Sequence, residues 1–487
     1  MPAILTYALL SIPLIGAYAI FALGISVIYR ASRVLNLAHG AMAMLPAYLT
    51  YSMVNAGIPI SIALVIGVAS GAALGILVER VFVRRLRPQG PTAQTVGTVA
   101  VTGLLIAVVA KVWGTTPLLA PQVFPRGVVT IGESGIRSGE IGLFLTGVVV
   151  SIALFQFFKR TQFGLAMRGA AQNRRAASLM GIDPDMAAAV AWALGGGLAA
   201  LAGIMLAAVT NLDPYTLSLQ VLPAFVAALI GGLESLTGAL RGAAVAGLAF
   251  GIVPYFSGTP GIGRIARMPG ARELVLTIVT LVVMALRGRR ISGAEQTEAG
   301  LATTVRPFRP MSARRLLPAI IIAGAFVIVW PLVAPYSVLG TSLLAVQLSL
   351  VAVSLVVLTG WVGQISLGHA AFVGVGAYAT GWAASALNLP FPISAPLAGL
   401  VGAGVALILG AVALRVRGLY LAVATLIFSW MADSYLFRQT WLTGYSTIPG
   451  RRVGGEDELV TFDLTNRKTI YYLAWVLVAL GVMMAAN

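Results

Sequence analysis

Long apolar runs, broken by short polar stretches rich in arginine, dominate this chain. A membrane-crossing helix takes about 20 mainly apolar residues. Runs of that kind fall near 9–28, 34–54, 60–78, 93–113, 141–158, 188–209, 221–240, 242–257 and 273–286. A second set follows near 316–335, 337–358, 364–384, 392–414, 418–437 and 470–486. The pattern predicts an all-α fold, a polytopic transmembrane helical bundle. Within 221–257, Pro223, Gly231-Gly232 and Gly238 point to a broken or re-entrant helix. The stretch 287–315 is basic, polar and proline-bearing, the one long composition break inside the chain. It is expected to be a linker between a first half, 1–286, and a second half, 316–487.

The polar residues inside the apolar runs show a duplication. The two histidines of the chain, His39 and His369, stand in matching segments. Leu37, His39, Ala41, Ala47, Tyr48 and Thr50 recur without a gap as Leu367, His369, Ala371, Ala377, Tyr378 and Thr380. A polar residue, Asn36 or Ser366, precedes each histidine by three. His39 follows Arg33 by six residues, about 9 Å along a continuous helix. That places it near the inner end of its span, with Asn36 on the same helical face. Tyr48 and Tyr378 are nine residues further on and point to the opposite face. Arg84–Arg87 and Arg415–Arg417 recur in the same order, so the halves are expected to be parallel pseudo-repeats. Duplicated membrane proteins commonly carry their pathway between the halves. Asn36, His39, Gln364, Ser366 and His369 are therefore candidates for a pathway, a gate or a packing contact. The plainer reading is that each histidine hydrogen-bonds a neighbouring helix.

Composition narrows the class. Hydrophobic residues make up 59% of the chain and charged residues 10%, where a soluble domain carries about 25% charged residues. Mean hydropathy is +0.94. No cysteine is present, which removes disulfides and thiolate metal sites. Met1-Pro2 leads into an apolar run with no basic segment, so the first span is expected to stay rather than be cleaved. The net charge of +17 does not point to nucleic acid, because the basic residues lie in short breaks and no stacking aromatics are interleaved with them. Clusters at 80–87, 159–175 and 287–315 follow the positive-inside pattern and are expected in the cytoplasm. Met1 and the loops 114–140 and 438–469 then lie outside.

The break at 159–185 is too polar to span, rich in helix formers, and closed by Gly181 and Pro184. By composition it is either a docking helix for a partner or an ordinary solvated loop helix. A resemblance chooses between them. Gly164, Arg168, Ala170, Ala176, Ala177, Gly181 and Ile182 resemble the coupling loop of ABC importer permeases, with Gly169 as a small departure. VIYRASRVLNLAHGAMAMLPAYLTY and GGLESLTGALRG are similar to one permease subunit of branched-chain amino acid ABC importers, although Glu234 stands where that family usually has glycine. LTGWVGQISLGHAAFVGVGAYATG and RGLYLAVATLIFSWMADSYLF resemble the other subunit. The whole therefore resembles a fusion of both permeases. The second half is expected to be incomplete, stopping where its own coupling loop would begin.

The resemblance implies the partners. They are ABC ATPase subunits, a periplasmic or extracellular solute-binding protein, and a small neutral amino acid such as leucine, isoleucine or valine. It also implies a multi-pass place in a bacterial inner membrane. Similar permeases carry urea or short amides. No G-x-x-x-x-G-K-[ST] occurs, so ATP hydrolysis is expected on separate subunits. No catalytic residue, metal ligand set or cofactor is expected. The competing class is an ion-coupled secondary transporter, for which Glu234 and Asp433 are the acidic candidates.

Overall fold

The computed structural model describes residues 3–125, 127–131, 134–292, 313–387, 389–413, 419–439, 442 and 466–486. Among these, eleven helices are long and apolar enough to cross a membrane. The protein is an all-α polytopic membrane protein. Its contacts divide it into two units, Met1–Val283 and Met284–Asn487. Most of the linker 287–315, most of the loop 438–469, and Arg415 and Arg417 lie outside the described residues.

The first unit contains α1 (Ala3–Leu10), α2 (Ile12–Ser32), α3 (His39–Asn55), α4 (Ile60–Val78), α5 (Pro91–Trp113) and α6 (Ser138–Arg160). It continues with the short α7 (Gln162–Gln172) and α8 (Arg174–Leu179), then α9 (Pro184–Ala207), α10 (Pro214–Leu219), α11 (Leu222–Gly231), α12 (Leu236–Gly251) and α13 (Ala271–Ser292), whose residues after Val283 are counted in the second unit. α2 is the central pillar and is buried without interruption from Gly16 to Tyr29. A helix that is apolar all round belongs in such a place. α4 and α9 press backbone to backbone: a methyl group at Gly75 would run into the Trp192 carbonyl. Small residues permit this approach in lipid, where packing rather than water expulsion drives association.

Polar contacts sort the ends of the unit. Arg33 pairs with Glu234, and Arg87 with Asp185. The Trp113 indole donates to Ser52 at the other end, where Leu118 also bridges to Leu212. Arg33, Arg87 and Arg174 thus gather at one end. The loop 114–140 lies at the other and carries a small antiparallel hairpin, β1 (Val128–Ile131) with β2 (Ser134–Arg137), which the helical pattern did not predict.

Two span boundaries differ from the sequence reading. The broken region is a helical hairpin whose turn lies at Gly232–Ser235, not near 240, because the Ser235 hydroxyl caps α12 by accepting from Gly238. The span read as 34–54 begins as a helix only at His39, for reasons that belong to the site.

The second unit runs through α14 (Ala313–Val333), α15 (Tyr336–Trp361), α16 (His369–Ala386), α17 (Phe391–Ala413), α18 (Leu419–Ser434) and α19 (Arg467–Ala486). Leu339 and Val346 of α15 pack on Tyr471 and Val478 of α19. Ala371 of α16 meets Phe428 and Ala432 of α18.

Candidate functional site

Residues 34–38 lead into α3 without helical structure, yet Val34, Leu35, Asn36 and Ala38 are buried. Backbone that is neither helix nor sheet is tolerated at membrane depth only where protein or a cavity satisfies it. Here α5 supplies the partners. Thr95, Thr98 and Thr102 stand at i, i+3 and i+7, on one face. The Leu35 amide donates to Thr95 Oγ1 at 3.3 Å and the Leu37 amide to Thr98 Oγ1 at 3.0 Å. The Thr102 hydroxyl donates to the Leu37 carbonyl at 3.3 Å. Asn36 does not continue a helical face to His39. Its Oδ1 accepts from the Ala38 amide at 3.1 Å, closing a tight turn, and its Nδ2 meets Met42 Sδ at 3.2 Å. The expectation of a shared helical face fails because Asn36 competes with the backbone for hydrogen bonds, as asparagine does at helix starts.

His39 follows as the first residue of α3 and is fully buried. The 9 Å estimate assumed a helix from Arg33 onward. The ring instead lies level with Gly24, eight residues inside the end of α2, where a methyl group on Gly24 would come within 2.8 Å of it. Phe21 meets the imidazole edge to face at 6.0 Å. The ring lies against the Phe21 backbone without completing a hydrogen bond of normal geometry, so the helix-to-helix bond expected of this histidine is not formed.

The second unit repeats the device in reduced form. Ser366 Oγ accepts from the Gly368 amide at 3.2 Å, as Asn36 does from Ala38. The Leu367 amide donates to Thr425 Oγ1 at 2.9 Å, as Leu37 does to Thr98. Each threonine in turn donates back along its own helix, Thr98 to Thr95 and Thr425 to Ala422. Further out, Tyr48 packs on Trp113 and Tyr378 on Phe437. His369 is half-buried, and its ring meets Phe372 of its own helix. Gln364 is half-buried, and its backbone amide donates to the Leu358 carbonyl at 3.3 Å.

The 159–185 segment is two helices rather than one. Thr161 caps α7 by accepting from Gly164, and Asn173 caps α8 by accepting from Ala176. Asn173 therefore ends one helix and starts the next. Gly181 takes the left-handed conformation, φ +79°, and Ile182 donates to the Ala177 carbonyl at 3.0 Å, a common helix stop. Gly164, Ala170 and Ala177 are buried against the bundle, and Arg168 and Ile182 are half-buried. Of the predicted set, Ala176 and Gly181 are exposed. Arg168 lines a cavity of about 470 Å³ with Arg30, Lys159 and Glu234. The same two helices expose large apolar side chains: Phe163 and Leu165 on α7, and Leu179 and Met180, 85% and 81% exposed, at the tip of α8.

Residues 7–286 and 337–487 both match the family described as "Branched-chain amino acid transport system / permease component". The chain belongs to this family. Two permease-type regions thus stand in tandem, and the family is one of transport permeases. The high-affinity branched-chain amino acid transport system permease protein LivH of Salmonella typhimurium is 28% identical over 249 residues, covering 48% of this chain and 80% of LivH. A probable LivH of Methanocaldococcus jannaschii is 27% identical over 279 residues, 54% of this chain and 85% of that protein. LivM of Salmonella typhimurium is 30% identical over 192 residues, 35% of this chain and 44% of LivM. No solved structure matches.

In this permease the sequence reading missed the threonines and the apolar tip. Thr95, Thr98 and Thr102 were visible as a polar stripe on an otherwise apolar run. Leu179 and Met180 were visible as apolar residues within a basic segment.

Proposed function

We propose that the chain is the membrane-spanning permease of an ATP-driven importer for branched-chain or other neutral amino acids. It sits in a bacterial inner membrane, is fed by an extracellular binding protein, and is driven by separate ATPase subunits. The observation that carries the docking part is the α8 tip. Leu179 and Met180 are almost fully exposed on a segment outside the apolar spans, at the basic end of the unit. Apolar side chains presented there mark a contact with another protein, and the neighbouring arginines add charge-assisted hydrogen bonds. The basic end is the cytoplasmic one by the positive-inside rule, which is where an ATPase works. Membership in a branched-chain amino acid permease family supports the substrate class. Within the first unit Asn36 and His39, and within the second Gln364, Ser366 and His369, each hold a point where a helix is interrupted.

The test uses the full chain with its ATPase subunits and binding protein in proteoliposomes. Gly181→Arg puts a bulky side chain at a left-handed position beside the tip. Leucine uptake is expected to fall at least tenfold with membrane insertion retained. The parent chain has no cysteine, so Met180→Cys offers it a single cross-linking site toward the ATPase. Normal uptake by Gly181→Arg, or Met180→Cys labelled from the outer face, removes the docking assignment. Uptake driven by a pH gradient without ATP removes the importer assignment.

A further inference from the structure

A pair of carboxylates, Glu79 and Asp185, ties the α7–α8 segment to the bundle, and neither is among the candidate site residues read from the sequence. Glu79 is fully buried at the basic end of α4. There the backbone runs as a π-helix over Glu79–Val83, and the Arg84 amide donates to the Glu79 carbonyl five residues back. In an α-helix, residue i+5 lies about 140° round from residue i. A π turn takes in an extra residue, so Arg84 comes round toward the face of Glu79. Its guanidinium engages both carboxylate oxygens, Nε to Oε1 at 3.2 Å and Nη2 to Oε2 at 2.9 Å. Arg87 donates through Nη2 to Glu79 Oε1 at 2.8 Å and through Nη1 to Asp185 Oδ1 at 2.5 Å. Asp185 lies in the first turn of α9. Its Oδ1 also receives Arg174 Nη2 at 2.6 Å, from the first residue of α8.

Three guanidinium groups are thus held by two carboxylates in one chain, Arg174 to Asp185 to Arg87 to Glu79, with Arg84 completing Glu79. Buried charge persists only where such pairing is complete. At one end of the chain is α8. At the other are α4 and α9, whose backbones are in contact at Gly75 and Trp192. Three residues beyond Trp192, the Gly195 carbonyl faces Gly24, the residue that also faces the His39 ring. π segments of this kind recur at functional sites, and the one at Glu79–Val83 aims Arg84 at Glu79.

We propose that Glu79 and Asp185 are positioning residues for energy coupling, a carboxylate latch that makes α8, α4 and α9 move as one body. The inference rests on the docking of α8 to an ATPase. Displacement of α8 is passed through Arg174 and Asp185 into α9, and through Arg87 and Glu79 into α4. Without the latch, α8 still docks, but its movement is lost in the 179–184 turn.

The experiment compares the parent with Glu79→Gln, Glu79→Asp and Asp185→Asn in the full complex, with two readouts. One is the Met180→Cys cross-link to the ATPase. The other is the stimulation of ATP hydrolysis by solute-loaded binding protein, relative to the same complex without it. We expect Glu79→Gln and Asp185→Asn to lower the stimulation ratio at least fivefold with the cross-link retained, and Glu79→Asp to restore most of it. A merely structural role would lower complex yield and leave the ratio unchanged. Asp185 is partly exposed, so its variant reports even where Glu79→Gln does not assemble. An unchanged ratio in Asp185→Asn, with the cross-link present, overturns the latch alone. Absence of the cross-link in the otherwise unaltered chain overturns the docking reading and the latch with it.

Discussion

The two segments that lead into α3 and α16 are built alike and packed differently. In both, a polar residue closes a turn onto the amide two residues ahead, and a threonine from the helix two further on accepts the amide between. In the first, three threonines line the supporting helix; in the second, Thr425 keeps the bond while alanine stands at 422 and serine at 429. The first histidine is fully enclosed, the second half-exposed. Duplication therefore preserved the bonds that backbone chemistry demands, since an unpaired buried amide is costly. It did not preserve the side-chain packing around them, which tolerates change if volume is kept.

The sharpest contrast is at Gly24 and its counterpart Ser354, 330 residues apart like the two histidines. A methyl group on Gly24 would lie 2.8 Å from the His39 ring and 3.3 Å from the Gly195 carbonyl, whereas Ser354 is exposed. Gly24→Leu is expected to cost about 3 kcal/mol or more by overpacking, seen as loss of monodisperse protein after solubilisation. Ser354→Leu should stay within about 0.5 kcal/mol. Equal losses at the two positions would remove the packing difference.

The threonines come next. Thr98→Val leaves the half-buried Leu37 amide without its partner and is expected to cost about 1–3 kcal/mol. Thr425→Val should fall at the lower end of that range, since the Thr98 hydroxyl also meets the Leu35 carbonyl at 3.4 Å. Serine at either position should restore most of the loss. Thermal melting of purified protein reads all four variants, and a neutral Thr98→Val would mean that the lead-in is not held by α5.

The smallest effects are expected at the histidines. His39→Leu removes no well-formed hydrogen bond but changes the shape of a closed site, for about 1–2 kcal/mol. His369→Leu should stay within about 0.5 kcal/mol, as a half-exposed site allows. Uptake assayed alongside separates packing from a pathway role: a stable His39→Leu protein that no longer transports assigns the ring to the route.

The sequence alone determined the class, because apolar runs of membrane length have few other uses. It determined the duplication, because polar residues in an apolar chain are rare enough for a match such as His39 with His369 to carry weight. It also located the α7–α8 segment and its stop at Gly181, since caps and helix stops are local chemistry. Only the tertiary structure decided the rest. Where α3 begins depends on Thr95 and Thr98, some 60 residues away from the amides they accept. The depth of His39 depends on α2 and α9, not on its distance along the chain from Arg33. Which small residues of 159–185 face the bundle depends on the end of α6, against which Gly164 packs. Glu79 and Asp185 lie more than a hundred residues apart, in segments whose local patterns say only that helices end or begin there. Hydrophobic periodicity and capping are read within a few residues. Satisfying a buried amide or carboxylate is a demand that any part of the chain can meet, so its answer lies in the fold.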